Sequence, residues 1–238
     1  MKKSHKIWIS VGAAVLVLGI AAAIAGPIIY RDLVAAPAAD TPTVTAPEPS
    51  TTDGGESGAL DPAALVGDWT VTEGSEAGYR VDEVLNGTDV TVTGRTDQVD
   101  GTLTIGGDGL TLDAAEITVD VASIATDSEN RDEYFRGQAL RTDEFPEATF
   151  VLTEPVTLDA APDSGQVVET DATGELTIAG ETQTVTAAIQ LTSDGETAQI
   201  AGSIPITFAD YGVEAPNLGF VSVEPDGFVE FQLAAARD

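Results

Sequence analysis

Residues 103–112 specify the fold most directly; they read Leu103-Thr104-Ile105-Gly106-Gly107-Asp108-Gly109-Leu110-Thr111-Leu112. Apolar and polar residues alternate on both sides of a glycine-rich centre. Alternation with a period of two is typical of a β-strand that buries one face and leaves the other in water. Glycine and aspartate between two such runs indicate a hairpin turn. The stretch therefore predicts two antiparallel strands joined by a tight turn.

The same alternation continues through most of residues 61–238. Further turns are predicted at Asp194-Gly195 and at Asn86-Gly87, where Asn-Gly-Thr88 is also a formal glycosylation sequon that we interpret as a turn. Pro205 lies inside an alternating run, which indicates an edge position or a β-bulge. The pattern predicts an all-β domain built as a closed antiparallel barrel, with a β-sandwich as the alternative. The clearest alternating runs lie at 90–93, 117–121, 176–178, 204–208 and 228–233.

Residues 127–137 break the alternation and predict one short helix. Asp127 or Ser128 can cap its start, acidic residues fill its first turn, and Gly137 can end it. Such a helix can close one end of a barrel. Arg131 lies within it, and we consider two interpretations: ion pairs that hold the helix to the barrel, or a cationic entrance for a phosphate head group.

Composition excludes several classes of function. The chain has no cysteine, its single histidine is His5, and residues 61–238 carry 6 arginines against 35 acids, a net charge of 6 − 35 = −29. The domain therefore has no cysteine or histidine to act as a nucleophile or to bind a metal. Its negative charge repels nucleic acid. Asp127, Glu129 and Arg131 have the spacing of a calcium loop, but the arginine breaks that motif. We predict no metal, no cofactor and no enzymatic activity.

The N-terminal region predicts a membrane anchor. Three lysines within the first six residues precede residues 7–29, which carry no charge over 23 positions. A helix of that length spans roughly 34 Å, enough to cross a bilayer, and the lysines place the N-terminus in the cytoplasm. Residues 1–30 are therefore the predicted cytoplasmic tip and transmembrane helix. A cleaved signal peptide, with Ala36-Pro37-Ala38 at the cleavage site, is the alternative, and it gives a secreted domain.

Residues 31–60 follow as a linker rich in proline, threonine and alanine. Such a composition buries too little apolar surface to offset the cost of ordering the chain. We expect a partly extended spacer that connects the anchor to the folded domain of residues 61–238.

Several short motifs, in order and spacing, resemble those of the YceI-like polyisoprenoid-binding family. The most specific runs from Val119 through Asp127 into Asn130-Arg131-Asp132. The others are Gly67-Asp68-Trp69-Thr70-Val71, Tyr79-Arg80-Val81-Asp82-Glu83-Val84, Val92-Thr93-Gly94-Arg95-Thr96, Phe145-Pro146-Glu147-Ala148-Thr149-Phe150, Gly174-Glu175-Leu176-Thr177-Ile178-Ala179-Gly180 and Phe208-Ala209-Asp210-Tyr211-Gly212-Val213. Many members of the family have a histidine near the positions of Asn86 and Ala179, and this chain has neither.

The resemblance implies an eight-stranded, lipocalin-like antiparallel barrel with an apolar tunnel that holds an isoprenoid chain. We expect extracytoplasmic binding, storage or transport of an isoprenoid-type or other long-chain lipid at a bacterial cell membrane. A structural or adhesion barrel without a ligand is the first alternative, and a hydrolase that uses a pair of carboxylates is the second. Aromatic residues make up only 5% of the chain, which favours a cavity over an interior filled by side chains. Arg131 and Asp132 are candidates for head-group binding or helix anchoring. The predicted tunnel-lining residues are Tyr79, Val81, Leu110, Leu112, Val119, Val121, Phe150, Leu152, Leu176, Ile178, Phe208 and Phe231.

Overall fold

Ten β-strands and two short α-helices form the part of the chain that the computed structural model describes, residues 37–44 and 58–238. The helices are α1 (Pro62–Leu65) and α2 (Glu129–Tyr134). The strands are β1 (Gly67–Leu85), β2 (Thr88–Thr96), β3 (Val99–Ile105), β4 (Thr111–Asp120), β5 (Glu147–Leu152), β6 (Val156–Thr157), β7 (Val168–Ile178), β8 (Glu181–Ser193), β9 (Thr197–Thr207) and β10 (Val221–Arg237).

Eight of these strands close into an antiparallel barrel. They follow one another in the order β1-β3-β4-β5-β7-β8-β9-β10, and β10 pairs with β1 to complete the ring. Strands β2 and β3 act together as one long partner of β1, because Ala77–Leu85 pairs with β2 and Gly67–Thr70 pairs with β3. The short β6 adds to β4. The predicted barrel is thus confirmed over the sandwich, and closure removes the free strand edges that an open sheet exposes.

The predicted turns are confirmed. Asn86 and Gly87 have φ angles of 51° and 79°, which suit the two central positions of the tight hairpin turn between β1 and β2. Asp108 and Asp194 lie in the turns that join β3 to β4 and β8 to β9. Pro205 lies in β9 beyond Ser203, the last residue that pairs with β8. Proline has no N–H to donate, and on this side of β9 no β8 residue needs one.

Two predicted strand ends and the predicted end of the helix are wrong. Val121 and Phe208 do not continue β4 and β9; each instead begins a 3₁₀-helix, Val121–Ser123 and Phe208–Tyr211. Asp120 explains the first, because its carboxylate accepts a bond of 3.0 Å from the Ala122 N–H and so starts the turn. The predicted helix of residues 127–137 begins later, at Glu129, and a π-helical turn, Phe135–Ala139, continues it past Gly137.

The N-terminal predictions fall mostly outside the described residues. The predicted cytoplasmic tip and membrane span, residues 1–30, lie outside the described residues. Among the helices in residues 37–44 and 58–238, none is long and apolar enough to cross a bilayer.

Part of the predicted linker contacts the barrel. Residues 37–44, which we call the strap, lie against the outer face of the barrel. The Ala39 carbonyl accepts a bond of 2.6 Å from Arg80 on β1, and the Val44 N–H donates to the Gln190 side chain on β8 at 3.3 Å. Val44 is buried. This segment is therefore not a free spacer in the structure.

A buried charge cluster lies on the outer face of β10. Glu230 is 1% exposed, and its neighbours in the strand, Val229 and Phe231, face the barrel interior. The Arg80 Nε donates to one carboxylate oxygen of Glu230 at 2.6 Å, and Arg95 donates to the other. Since Arg80 also holds the strap, this cluster joins β1, β2 and β10 to residues 37–44.

Candidate ligand-binding cavity

A cavity of about 590 Å³ occupies the barrel interior. Its size is within the range of small-molecule binding sites, roughly 300–1,000 Å³. Side chains of the inward face of every barrel strand line it, together with residues of α2 and of the connection between β9 and β10. All twelve residues predicted to line the tunnel are at its wall; they are Tyr79, Val81, Leu110, Leu112, Val119, Val121, Phe150, Leu152, Leu176, Ile178, Phe208 and Phe231.

Small inward-facing residues explain why the barrel leaves a space. Ala77, Ala115, Ala172, Ala187 and Ala235 all line the cavity, and each is buried. A methyl group fills far less of the barrel centre than a leucine or phenylalanine at the same position. Because protein interiors are otherwise close-packed, a space of this size indicates room kept for an occupant.

The cavity reaches the surface beside the connection between β9 and β10. Leu218 and Phe220 in this connection line the cavity and are nevertheless 57% and 59% exposed. The Phe220 carbonyl accepts a bond of 2.7 Å from the Asn86 N–H, which ties the connection to the β1–β2 turn. Leu85, at the end of β1, also lines this part of the cavity. Leu85, Leu218 and Phe220 form what we call the rim, an apolar border to the opening.

A charged cluster lies in the wall where helix α2 meets β1. Glu83 points into the barrel, with a side chain only 5% exposed, and its Oε1 accepts a bond of 3.1 Å from Arg131. Arg131 also donates to Asp127 at 2.7 Å. Arg131 and Glu83 line the cavity, whereas Asp132 does not. Asp132 instead accepts bonds from the Thr126 N–H and hydroxyl, at 2.9 and 2.7 Å. The two predicted residues therefore both fix α2, and only Arg131 reaches the cavity.

Two tyrosines, Tyr79 and Tyr211, line the cavity. Burial raises the pKa of Tyr79 well above its usual range; Arg131 opposes the shift, and the carboxylates of Asp132, Glu83 and Asp127 add to it. The Tyr79 ring stacks on Phe135 at 5.0 Å between centroids, which packs the end of α2 onto β1.

Tyr211 is 3% exposed, and burial, followed by the charge of Asp210, raises its pKa to about 12. Its hydroxyl has no hydrogen-bond partner within the described residues.

Sequence reasoning missed Glu83 and the rim. Glu83 follows Tyr79 and Val81 at the same spacing of two, so strand alternation alone places it on the inward face. Its charge argued against an interior position. Leu218 and Phe220 lie in an irregular connection, where no periodicity reveals which side chains face the cavity.

Comparison with known proteins gives the family. The model of the YceI-like domain matches residues 69–235. A polyisoprenoid-binding domain from Saccharophagus degradans superimposes with a TM-score of 0.57 at 18% identity, covering 73% of this chain and 99% of that one. BcnA from Burkholderia cenocepacia superimposes with a TM-score of 0.52 at 23% identity, covering 67% of this chain and 95% of its own. No curated protein sequence matches significantly. The family model spans most of the chain and the structural neighbours have the same fold, so the chain belongs to the YceI-like domain family.

Proposed function

We propose that the barrel binds a long-chain, isoprenoid-type lipid in its cavity and carries or stores it without changing it chemically. The observation that carries this proposal is the cavity of about 590 Å³, whose wall is apolar except at the α2 end and at isolated positions such as Thr149 and Ser193. The family and the Saccharophagus degradans domain support the choice of an isoprenoid chain.

The physical basis is burial of apolar surface. Each Å² of apolar surface removed from water contributes about 25 cal/mol, so a slender hydrocarbon chain binds tightly without many polar contacts. The inward side chains supply that surface from the buried Trp69, near the start of β1, to Phe220 at the rim. The rim continues the apolar wall to the outside, which gives a hydrocarbon chain an apolar route of entry.

We propose an extracytoplasmic location for the barrel, with the predicted N-terminal span as its anchor. A lipid that enters or leaves the cavity then comes from the membrane to which the chain is attached. The uncharged run of residues 7–29 supports this placement. A mature protein that begins near residue 39 and is found free of membranes would contradict the anchor.

Leu152 provides the test of the cavity as the binding site. Leu152 lines the cavity, whereas Val151 beside it points outward and is 40% exposed. Leu152→Trp should fill part of the cavity and weaken uptake of a fluorescent polyprenyl lipid at least about tenfold, while the domain still folds, because an open cavity accommodates the larger side chain. Val151→Trp is the matched control and should leave uptake unchanged. Titration of lipid into each variant, with thermal melting alongside, measures both quantities.

Other outcomes identify the alternative functions. If Leu152→Trp destabilises the fold by roughly 1–3 kcal/mol and the wild type takes up no lipid, the interior is overpacked by the substitution and the barrel is a structural or adhesion module. If organic-solvent extraction of the purified wild-type protein releases a long-chain isoprenoid lipid that mass spectrometry identifies, the carrier function is supported directly.

A further inference from the structure

We propose that the ligand of this barrel has an uncharged, hydroxyl-type head group rather than a phosphate or diphosphate. The inference rests on the proposed lipid-binding function and specifies the ligand of that same cavity. Its basis is the charge balance around Arg131, which the two carboxylates bonded to it already neutralise.

Arg131 is the only cation that lines the cavity within the described residues. Its Nη2 donates to Glu83 at 3.1 Å and its Nη1 donates to Asp127 at 2.7 Å, so each terminal nitrogen of the guanidinium already bonds a carboxylate of the protein. Asp132 lies next in the helix and brings a third carboxylate. One positive and three negative groups leave a local charge of 1 − 3 = −2. A phosphate placed here meets repulsion that water cannot fully screen, because the groups are partly buried.

The remainder of the cavity wall offers no compensating cation. The other charged residue that lines it is Glu214, in the β9–β10 connection, which adds a further negative charge. The domain as a whole is also acidic, with a net charge of −29 over residues 61–238, so the long-range field disfavours anionic ligands as well.

A hydroxyl head group fits the same residues. Arg131 bonds only Oε1 of Glu83, and the structure shows no bond to Oε2 within the described residues, so this oxygen can accept a hydrogen bond from an alcohol. Tyr79 also lines the cavity, and its hydroxyl is a group that can donate a hydrogen bond to an alcohol oxygen. A fully ionised phosphate has no proton to donate to Glu83. The free oxygen of Glu83 and the local negative charge therefore both favour an alcohol over a phosphate.

A competition experiment tests the head group. The full-length chain in zwitterionic nanodiscs, in a Trp8→Phe background, leaves Trp69 in the cavity wall as the only tryptophan. Energy transfer from Trp69 to a dansylated polyprenyl probe reports occupancy. A polyprenol, the polyprenyl phosphate of the same chain length and the headless hydrocarbon then compete for the site. We expect the polyprenol to displace the probe at least about tenfold more effectively than the phosphate, a difference of about 1.4 kcal/mol.

Two variants separate head-group recognition from differences in membrane partitioning. Glu83→Gln removes the charge of one carboxylate that bonds Arg131, and Asp127→Asn removes that of the other, which is more exposed. Each substitution leaves Arg131 less neutralised, so the ratio of alcohol affinity to phosphate affinity should fall several-fold in both variants. The ratio between variant and wild type cancels partitioning into the nanodisc. Glu144→Gln, at an exposed surface pair, should leave the preference unchanged.

Each result has one meaning. A phosphate that binds as well as the alcohol, with Arg131→Ala weakening only the phosphate, overturns the uncharged head group and keeps the lipid-binding function. If neither the probe nor any of the three competitors binds, the lipid-binding function itself fails. A preference for the alcohol that persists equally in both variants contradicts the role of Glu83 and Asp127.

Discussion

At the scale of single residues, Glu230 is a buried charge outside the cavity that we expect to stabilise the fold. Its carboxylate is 1% exposed and receives bonds from both Arg80 and Arg95. Removing one member of a buried ion pair is costly because the partner charge stays behind without compensation. We expect Glu230→Gln to lower the free energy of unfolding by roughly 3 kcal/mol, within the usual range for a broken buried pair.

Urea unfolding of the wild type and of Glu230→Gln measures this difference. Glu144→Gln is the comparison, because the Arg141–Glu144 pair is 3.8 Å long and both side chains are more than half exposed. That exposed pair should contribute less than about 1 kcal/mol. Equal losses of unfolding free energy in the two variants would show that the buried cluster contributes no more to stability than the exposed pair.

The same residue marks a limit of sequence reasoning. Alternation in residues 228–233 correctly predicts that Phe231 faces inward and that Glu230 faces outward. It also implies that Glu230 is in water, which is wrong. The burial of Glu230 comes from Arg80 and Arg95 on other strands and from the adjacent strap, and such long-range contacts leave no periodic signal in the sequence.

At the scale of elements, two hairpin turns use the same local device. Asp108 and Asp194 are each followed by glycine and, three positions on, by a threonine whose N–H and hydroxyl bond the carboxylate. In Asp194, burial alone would raise the pKa, but the bonds from Thr197 and Glu196 outweigh it and lower the pKa below its usual value. The carboxylate form therefore stabilises the β8–β9 turn.

The lowered pKa sets the direction of a pH effect. A carboxylate whose pKa is lower in the folded chain contributes stability above its unfolded pKa and loses it as the pH falls through the folded value. We expect Asp194→Asn to lower the free energy of unfolding at pH 7 by roughly 1 kcal/mol, the usual net contribution of a hydrogen bond. The difference between wild type and variant should shrink below pH 4 or so, since the unperturbed pKa of aspartate is about 3.9.

Denaturant melts of both proteins at pH 7, 4 and 2.5 give this difference, and subtraction cancels the many other acids of the domain. A constant difference across the three pH values would contradict the role of the charge. The turn itself was predictable from Asp-Gly, whereas the 3₁₀-helices at Val121 and Phe208 were not. In the first of these, a bond that the Asp120 carboxylate accepts from the Ala122 N–H starts a turn although the alternation continues through Val121.

At the scale of the whole molecule, the barrel and its wall follow closely from the sequence. Alternation and turn residues predict the strands, and the scarcity of aromatic residues together with buried alanines is consistent with the cavity. The rim and the strap could not be predicted in this way. Leu218 and Phe220 take their positions from a connection tied to another hairpin, and the strap has the composition of a linker but binds a surface that exists only once the barrel has closed.

If residues 1–30 form the predicted membrane anchor, the strap limits how far the barrel can move from the membrane. With the predicted anchor ending at residue 30, a free linker of residues 31–60 could reach roughly 100 Å when fully extended, whereas residues 31–36 can reach only about 20 Å before the docked strap begins. With that anchor in place, docking of the strap would shorten the connecting segment and hold the barrel close to the lipid surface. The chain would then be attached to the barrel at the outer wall near β2 and β8 rather than at the start of β1.

Releasing the strap should lengthen the chain segment that connects the predicted anchor to the barrel. Thr93→Ala and Gln190→Ala together remove two of the bonds that hold residues 37–44 while leaving Glu230 and its arginines intact. Because the chain has no cysteine, one introduced at the exposed Val151 carries a single fluorophore. Energy transfer from that fluorophore to labelled lipid in proteoliposomes should fall in the double variant. Unchanged energy transfer would mean that the strap does not fix the height of the barrel above the bilayer. The distance that a bound lipid travels between cavity and membrane would then be set by another part of the chain.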